Sequence, residues 1–166
     1  NTILSDDPQL TVRGKSGPDP RPIIVDRHLK TPPHAKVLKN PKKPWLCSGM
    51  RERKIKTLQF EDLGCRVFKI LSDHHRWLSI RDLLSKLHAA GIRKLMVEGG
   101  ATVIEQFIAN SHVDVVVLTI APVFIGGLNP MKRLVAESSE ISDFPKLKTH
   151  SIEQLGKDIL IWGQFL

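Results

Sequence analysis

The chain contains no tyrosine, and only three tryptophans and six phenylalanines among its 166 residues. Trp45, Trp77 and Trp162 are scattered, so there is no row of aromatics on which unpaired nucleic-acid bases would stack. Cysteine is scarce too. Cys47 and Cys65 lie 18 positions apart without metal-ligand spacing around them, which fits two reduced thiols of a cytoplasmic protein better than a disulfide framework. Histidines 28, 34, 74, 75, 88, 112 and 150 form no metal-binding pattern, so no metal is expected. No apolar run approaches the roughly 20 residues that a membrane helix needs, and no secretory signal pattern is present. There is no Gly-x-Ser-x-Gly elbow, which leaves a serine hydrolase without support. Internal repeats and low-complexity tracts are also absent.

What is present is ordinary globular composition with an uneven charge. The chain is 41% hydrophobic and 25% charged, and its length suits one domain with a real core. Residues 1–60 carry 13 of the 25 Lys/Arg and 5 of the 17 Asp/Glu, so the whole net charge of +8 lies there. Such a field attracts nucleic acid or small anions, phosphorylated substrates and cofactors among them; a merely solvated basic surface is the simpler reading.

The pattern is organised around residues 93–127. Arg93 to Val97 reads as a strand, with Leu95, Met96 and Val97 as a run buried on both faces. Glu98, Gly99 and Gly100 form a turn, and Ala101 to Asn110 a helix with Val103, Ile104, Phe107 and Ile108 at helical spacing. Asp114 to Ala121 is a second buried strand, nearly all β-branched between Val115 and Ile120, and Gly126-Gly127 a loop. Strand, helix and strand make a βαβ unit, whose first turn falls where α/β sheets place their ligands.

The remainder reads as follows. Thr2 to Arg13 looks like a loop, since Asp7-Pro8 disfavours helix, and Gly14 to Arg21 like a flexible connection. Pro22 to Asp26 is a strand ending in a carboxylate. Leu29 to Pro33 and Asn40 to Pro44 are proline-rich turns, and Trp45 to Cys47 is a short strand. Arg51 to Leu63 fits a helix with Ile55, Leu58 and Leu63 inward and Gly64 at its end. Cys65 to Leu71 is a strand, and Ser79 caps a helix over Ile80 to Ala90 with a Leu83, Leu84, Leu87 stripe closed by Gly91. Met131 to Glu137 is a helical turn or two. Leu147 to Leu155 and Asp158 to Leu166 form a hairpin about Gly156-Lys157. The order predicts an α/β sandwich with a mixed sheet.

Two segments carry candidate chemistry. Gly99 and Gly100 let a backbone approach a ligand, and the helix behind them offers free N–H groups and a positive dipole end. Thr102 sits in that first turn, and Glu98 at the strand tip suits a polyol hydroxyl or an amine. A Gly-Gly pair is a weak signal, and a tight turn without a ligand is the alternative. Among Thr2, Asp6, Asp7, Thr11 and Arg13, the two adjacent carboxylates suit a metal or a ribose diol, and Arg13 a phosphate; a turn capped by aspartates is the simpler reading from spacing alone.

Three segments together resemble the riboflavin-biosynthesis reductases. Residues 2–13 match that family's T-x-x-x-D-D-P-x-L-x-x-R pattern, Met96-Val-Glu98-Gly-Gly-Ala-Thr102 its strand–turn–helix, and Leu118 to Gly127 its following strand and loop. Pro22 to Asp26 and Thr31-Pro32 fall in the expected order. The resemblance spans nearly the whole chain. It implies a dihydrofolate-reductase-like three-layer sandwich with a mixed, mostly parallel sheet and a C-terminal antiparallel hairpin. It further implies a cytoplasmic homodimer and NADPH as hydride donor, acting on a ribosylaminopyrimidine 5′-phosphate and leaving the ribitylamino form. By position, Thr2, Asp6, Gly99, Gly100, Ala101 and Thr102 become cofactor contacts. Leu10, Arg13 and Glu98 become substrate contacts, with Arg13 at the phosphate and Glu98 the catalytic candidate. Arg27 follows the strand-end Asp26, where the family has a further cofactor contact, often a small polar residue; an arginine there suits the NADPH 2′-phosphate instead. The family has a first strand and helix ahead of the Thr2 segment, so the chain is expected to be one reductase domain, 1–166, incomplete at its N-terminus and poorly active alone. Another reductase of the same fold, or a basic nucleic-acid-binding module, are the alternatives.

Overall fold

The computed structural model describes residues 2–12, 16–124, 140 and 144–165. They fall into two compact units, Asn1–Met96 and Val97–Leu166, each described by itself.

The first unit is built on three parallel strands, β1 (Ile23–Val25), β2 (Trp45–Gly49) and β3 (Arg66–Ile70), in that spatial order. Ile24 pairs with Leu46, and Leu46 with Val67. Residues paired in register point to the same face; Ile24 and Leu46 belong to one apolar cluster with Val37, Leu38 and Phe60, and Val67 packs against it. A 3₁₀ helix (Lys36–Lys39) lies between β1 and β2, and α2 (Lys54–Asp62) between β2 and β3. Helix α3 (Ile80–Ala89) follows β3 and contacts it. Its stripe is as expected: Leu83 and Leu87 are buried, and the Ser79 hydroxyl accepts from Asp82 N at 3.3 Å.

Two expectations fail in this unit. Residues 2–6 are not a loop but a short helix, α1 (Thr2–Asp6). It stops where Asp7 takes φ +41, ahead of Pro8; the proline bars helix at its predecessor but not a turn earlier. In α2 the expected inner face is outward. Ile55 is 73% exposed, while Phe60 is 2% exposed and Leu58 and Leu63 face solvent. The sheet is met by the side carrying Phe60, and one buried aromatic, worth roughly 1.5–3 kcal/mol, outweighs smaller apolar groups in orienting a short helix.

The described long helices end alike. After α2, Gly64 N donates to Glu61 O at 2.8 Å and Cys65 N to Phe60 O at 3.0 Å; after α3, Gly91 N donates to His88 O at 2.9 Å and Ile92 N to Leu87 O at 3.0 Å. Both glycines have positive φ, as this paired bonding to the last turn requires.

The second unit contains α4 (Ala101–Ala109), β4 (Val116–Ile120), β5 (Leu147–Leu155) and β6 (Asp158–Phe165). Its strands lie in the order β4-β6-β5, all antiparallel. The β5–β6 hairpin turns at Gly156, φ +65, as expected. Helix α4 closes with the same two bonds, Ser111 N to Ile108 O and His112 N to Phe107 O, both 3.0 Å, but with Ser111 at φ +53 in the glycine position.

Parallel and antiparallel pairing are thus both present, divided between two three-stranded sheets. Residues 93–97 form no strand, and Met96 is 80% exposed. An apolar run reports a tendency to be buried, but a strand exists only where a neighbour completes its ladder. Strand β4 does form, yet it is exposed rather than buried, with Val117 and Leu118 open; among the described residues it is paired on one side only, as an edge strand is. The expected Gly126-Gly127 loop and the helical turn at Met131 to Glu137 lie outside the described residues. Among the described residues no helix is long and apolar enough to cross a membrane.

Candidate functional site

In the first unit the carboxyl ends of β1, β2 and β3 lie side by side, the edge at which parallel sheets bind ligands. The loop after β1 is held by Asp26. One oxygen of its carboxylate accepts both Thr31 N (2.7 Å) and Thr31 Oγ1 (2.8 Å), and Leu29 N donates to Asp26 O at 3.1 Å. This compact turn presents Arg27 and His28. The Arg27 guanidinium donates to the Arg76 carbonyl, in the turn after β3. The Arg27 carbonyl accepts Gly49 N, at the end of β2, at 2.9 Å. Arg27 is therefore tied to the ends of both other strands.

A second polar group centres on Glu52, just past β2. Its carboxylate lies 3.4 Å from Lys56 Nζ and 3.5 Å from His28 Nδ1, and its carbonyl accepts Lys69 Nζ at 3.2 Å. Burial works against ionisation of Glu52. The Arg53 N–H, Lys56 and His28 outweigh it and hold the carboxyl below its ordinary value. Ser48 Oγ, on β2, and Thr57 Oγ1, on α2, are buried with no hydrogen-bond partner among the described residues. The sequence reading missed this network. The i, i+4 spacing of Glu52 and Lys56 was its one visible signal, since the approach of His28 and Lys69 depends on strand order.

The N-terminal candidates divide. Thr2 opens α1 and is half-buried, with Ser5 Oγ donating to its carbonyl at 3.4 Å; Asp6 is exposed at the end of the same helix. Asp7 accepts Lys36 N at 2.8 Å, which anchors the 3₁₀ helix. Leu10 packs against the core cluster, and its carbonyl accepts Asn40 Nδ2 at 3.3 Å. Arg13 lies outside the described residues.

In the second unit Glu98 is exposed ahead of α4. Gly100 occupies the helix N-cap and has no side chain to cap the first turn, in which Val103 N donates to Gly100 O at 2.9 Å. Ala101 and Thr102 are exposed in that turn. A Cβ at Gly99 would stand 3.3 Å from Val103 Cβ, so a side chain there would have to push Val103 aside by a few tenths of an ångström. Bare backbone and the free N–H groups at the helix start fit the anionic groups of a nicotinamide dinucleotide, and so does the Arg27 guanidinium, held at the Arg76 carbonyl. Among the described residues no group of three or more His, Cys, Asp or Glu is placed to hold a metal.

The chain matches the RibD C-terminal domain over residues 1–161. It is 32% identical over 165 residues to the 2,5-diamino-6-ribosylamino-4(3H)-pyrimidinone 5′-phosphate reductase of Methanothermobacter thermautotrophicus, covering 97% of this chain and 74% of that one. Against the enzyme of the same name from Archaeoglobus fulgidus the identity is 30% over 177 residues, covering 99% and 76%. Among solved structures, Acinetobacter baumannii RibD superposes with a TM-score of 0.81 at 25% identity, over 99% of this chain and 45% of that one. The chain thus spans about three quarters of the archaeal reductases and under half of the RibD chain, and the likeness carries a dihydrofolate-reductase-like α/β fold. By profile, by relatives and by fold, the chain belongs to the RibD C-terminal domain family.

Proposed function

We propose that the protein reduces the ribosyl group of a ribosylaminopyrimidine 5′-phosphate to the ribityl form in riboflavin biosynthesis, with NADPH as donor, as a homodimer in the cytoplasm. The observation that carries this reading is the identity with two reductases of that name over 97% and 99% of the chain.

The chemistry asks little of acid–base machinery. When bound, a dihydronicotinamide would supply the hydride for the ribose carbon of an opened, imine-like ribosylamine, with a proton completing the amine at nitrogen. The chain's own task is alignment of two ligands, with exclusion of water. Gly99, Gly100, Ala101 and Thr102 receive cofactor phosphate on the uncapped start of α4. Thr2 and Asp6 add cofactor contacts from the opening segment, and Arg27 meets the 2′-phosphate. Leu10 and Arg13 hold the substrate, and Glu98 orders its ribose hydroxyls or passes the proton. The basic first 60 residues suit two phosphorylated ligands.

The test is direct. The purified protein is incubated with the ribosylaminopyrimidine phosphate and NADPH, and the products are resolved by mass spectrometry. A product heavier by two hydrogens, formed with matching loss of NADPH, is expected, together with a rise in melting temperature on adding NADPH. No product and no thermal shift, with steeply salt-dependent binding to arbitrary DNA instead, would overturn the reading.

A further inference from the structure

Gly49 ends β2 and is buried. Its φ lies outside the left-handed range that favours glycine, so the backbone does not demand this residue. Space favours it. A Cβ there would stand 3.3 Å from the Arg27 carbonyl oxygen, 3.4 Å from Arg27 Cγ and 4.0 Å from Leu78 Cδ2. The first two contacts belong to one residue, whose carbonyl already accepts Gly49 N at 2.9 Å. Arg27 thus crosses the end of β2 over a position where a Cβ would press on its carbonyl and its Cγ, so that Arg27 would have to give by a few tenths of an ångström.

Its far end is fixed as well. Arg76 has φ +64, inside a turn in which Asp73 Oδ1 accepts Trp77 N at 2.8 Å and Asp73 N donates to Trp77 O at 2.8 Å. That turn aims the Arg76 carbonyl at the Arg27 guanidinium. A guanidinium has five N–H donors in a rigid fork, so one bond to a carbonyl orients those that remain.

We propose that Gly49 is a positioning residue: by leaving the end of β2 bare, it lets Arg27 lie across the three strand ends with its fork set for the phosphate that distinguishes NADPH from NADH. This rests on the reading above that the protein binds NADPH with Arg27 at the 2′-phosphate, and it adds the device that makes the arginine selective.

The test is the ratio of NADPH to NADH dissociation constants, measured by calorimetry on the full chain and on Gly49→Ala, Arg27→Gln, Arg27→Lys and the Gly49→Ala/Arg27→Gln pair. Arg27→Gln is expected to lower the preference for NADPH about tenfold or more, with NADH affinity nearly constant. Gly49→Ala should lower it in the same direction by about three- to tenfold, and add nothing in the Arg27→Gln background. Arg27→Lys should fall close to Arg27→Gln, because an ammonium keeps the charge without the fork. If Arg27→Gln lowers the preference but Gly49→Ala weakens both cofactors equally, or stays additive in the pair, the positioning role is overturned while Arg27 keeps its place. If Arg27→Lys retains the full preference, charge alone selects and the proposal fails, whether or not Gly49→Ala folds. If Arg27→Gln leaves the ratio unchanged, the 2′-phosphate assignment falls, and Gly49 with it. If neither dinucleotide binds, the reductase reading itself is lost.

Discussion

A single oxygen of Asp26 receives both the backbone N–H and the hydroxyl of Thr31, at 2.7 and 2.8 Å. Thr31 is buried, so its two donors have no water to fall back on. Asp26→Ala would leave both unsatisfied, and a loss of about 2–3 kcal/mol is expected from urea unfolding. Thr31→Val removes only the hydroxyl and should lose about 1 kcal/mol. Equal losses from the two variants would show that the backbone bond contributes nothing.

Asp82 ties α3 to the end of β3. Its carboxylate accepts Leu71 N and Lys86 Nζ, both at 2.8 Å. Burial opposes ionisation, but Lys86 and the Leu71 N–H prevail and hold the carboxyl below its ordinary value of 3.8. A group with a lowered folded value adds stability above its unfolded value and loses it as pH falls through the folded one. The acid limb of stability below about pH 4 should therefore flatten in Asp82→Asn. At neutral pH that variant should be less stable by roughly 1–2 kcal/mol; Asp82 keeps some exposure, which limits the ion pair's share. An unchanged acid limb in urea titrations at stepped pH would contradict this.

The alkaline side is governed by the buried thiols. Desolvation, only partly offset by Lys86, pushes Cys47 from 9.0 up to about 12, and burial likewise raises Cys65. With the folded value raised, the stability is complete below pH 9 and declines as the unfolded thiol ionises, up to about pH 12. The chain has no tyrosine, so the other side chains titrating there are lysines. Cys47→Ala should be less stable at pH 7 because it opens a gap, yet should lose less between pH 9 and pH 11 than the parent, judged from unfolding midpoints across that span. Native Cys47 should also resist a thiol reagent until the protein unfolds.

The sequence made the caps, turns and short-range elements of this fold readable, because their causes are local. Ser79 before an acidic first turn, Gly64 and Gly91 after helices, and Gly156 between alternating strands each act within a few residues. Ser111 shows where that logic stops. It fills a left-handed position with no glycine to mark it, and only the two bonds closing α4 reveal it. Pairing was the other limit. The run at residues 93–97 looks like a buried strand, yet its ladder depends on neighbours distant in the chain. The outward turn of Ile55 likewise follows from Phe60 meeting the sheet. At the candidate site the Gly99-Gly100 corner was visible as a motif. The approach of Arg27 to Gly49 and Arg76 was not, since three separate strands bring those residues together.

Ser111 also yields a prediction. A non-glycine residue in the left-handed region is disfavoured by contact between its Cβ and the following carbonyl, whereas glycine escapes it. Ser111→Gly removes that contact while leaving the bonds from residues 111 and 112 to α4 in place. Freedom gained by the unfolded chain offsets part of the benefit, so a net gain of roughly 0.5–1 kcal/mol is expected in urea midpoints. A loss would mean that the serine side chain supports the turn.

Glu98 gives the sharpest test of the division of labour at the second unit's corner. It is exposed ahead of the bare turn and outside the helix whose first N–H groups have no side-chain cap. If the helix start receives the cofactor and Glu98 faces the sugar phosphate, the two are separable by mutation. Glu98→Gln keeps shape and hydrogen-bonding reach but cannot carry a proton as a carboxylate does. It should lower kcat about 100-fold or more, with the NADPH dissociation constant within about twofold of the parent, a shift of under half a kcal/mol. Ala101→Asp, which places a negative charge among those same N–H groups, should do the reverse, competing with cofactor phosphate and weakening NADPH binding first. Single-turnover rates beside equilibrium titrations separate the two effects. A Glu98→Gln protein that turns over normally yet releases NADPH would move this carboxylate from the substrate to the cofactor.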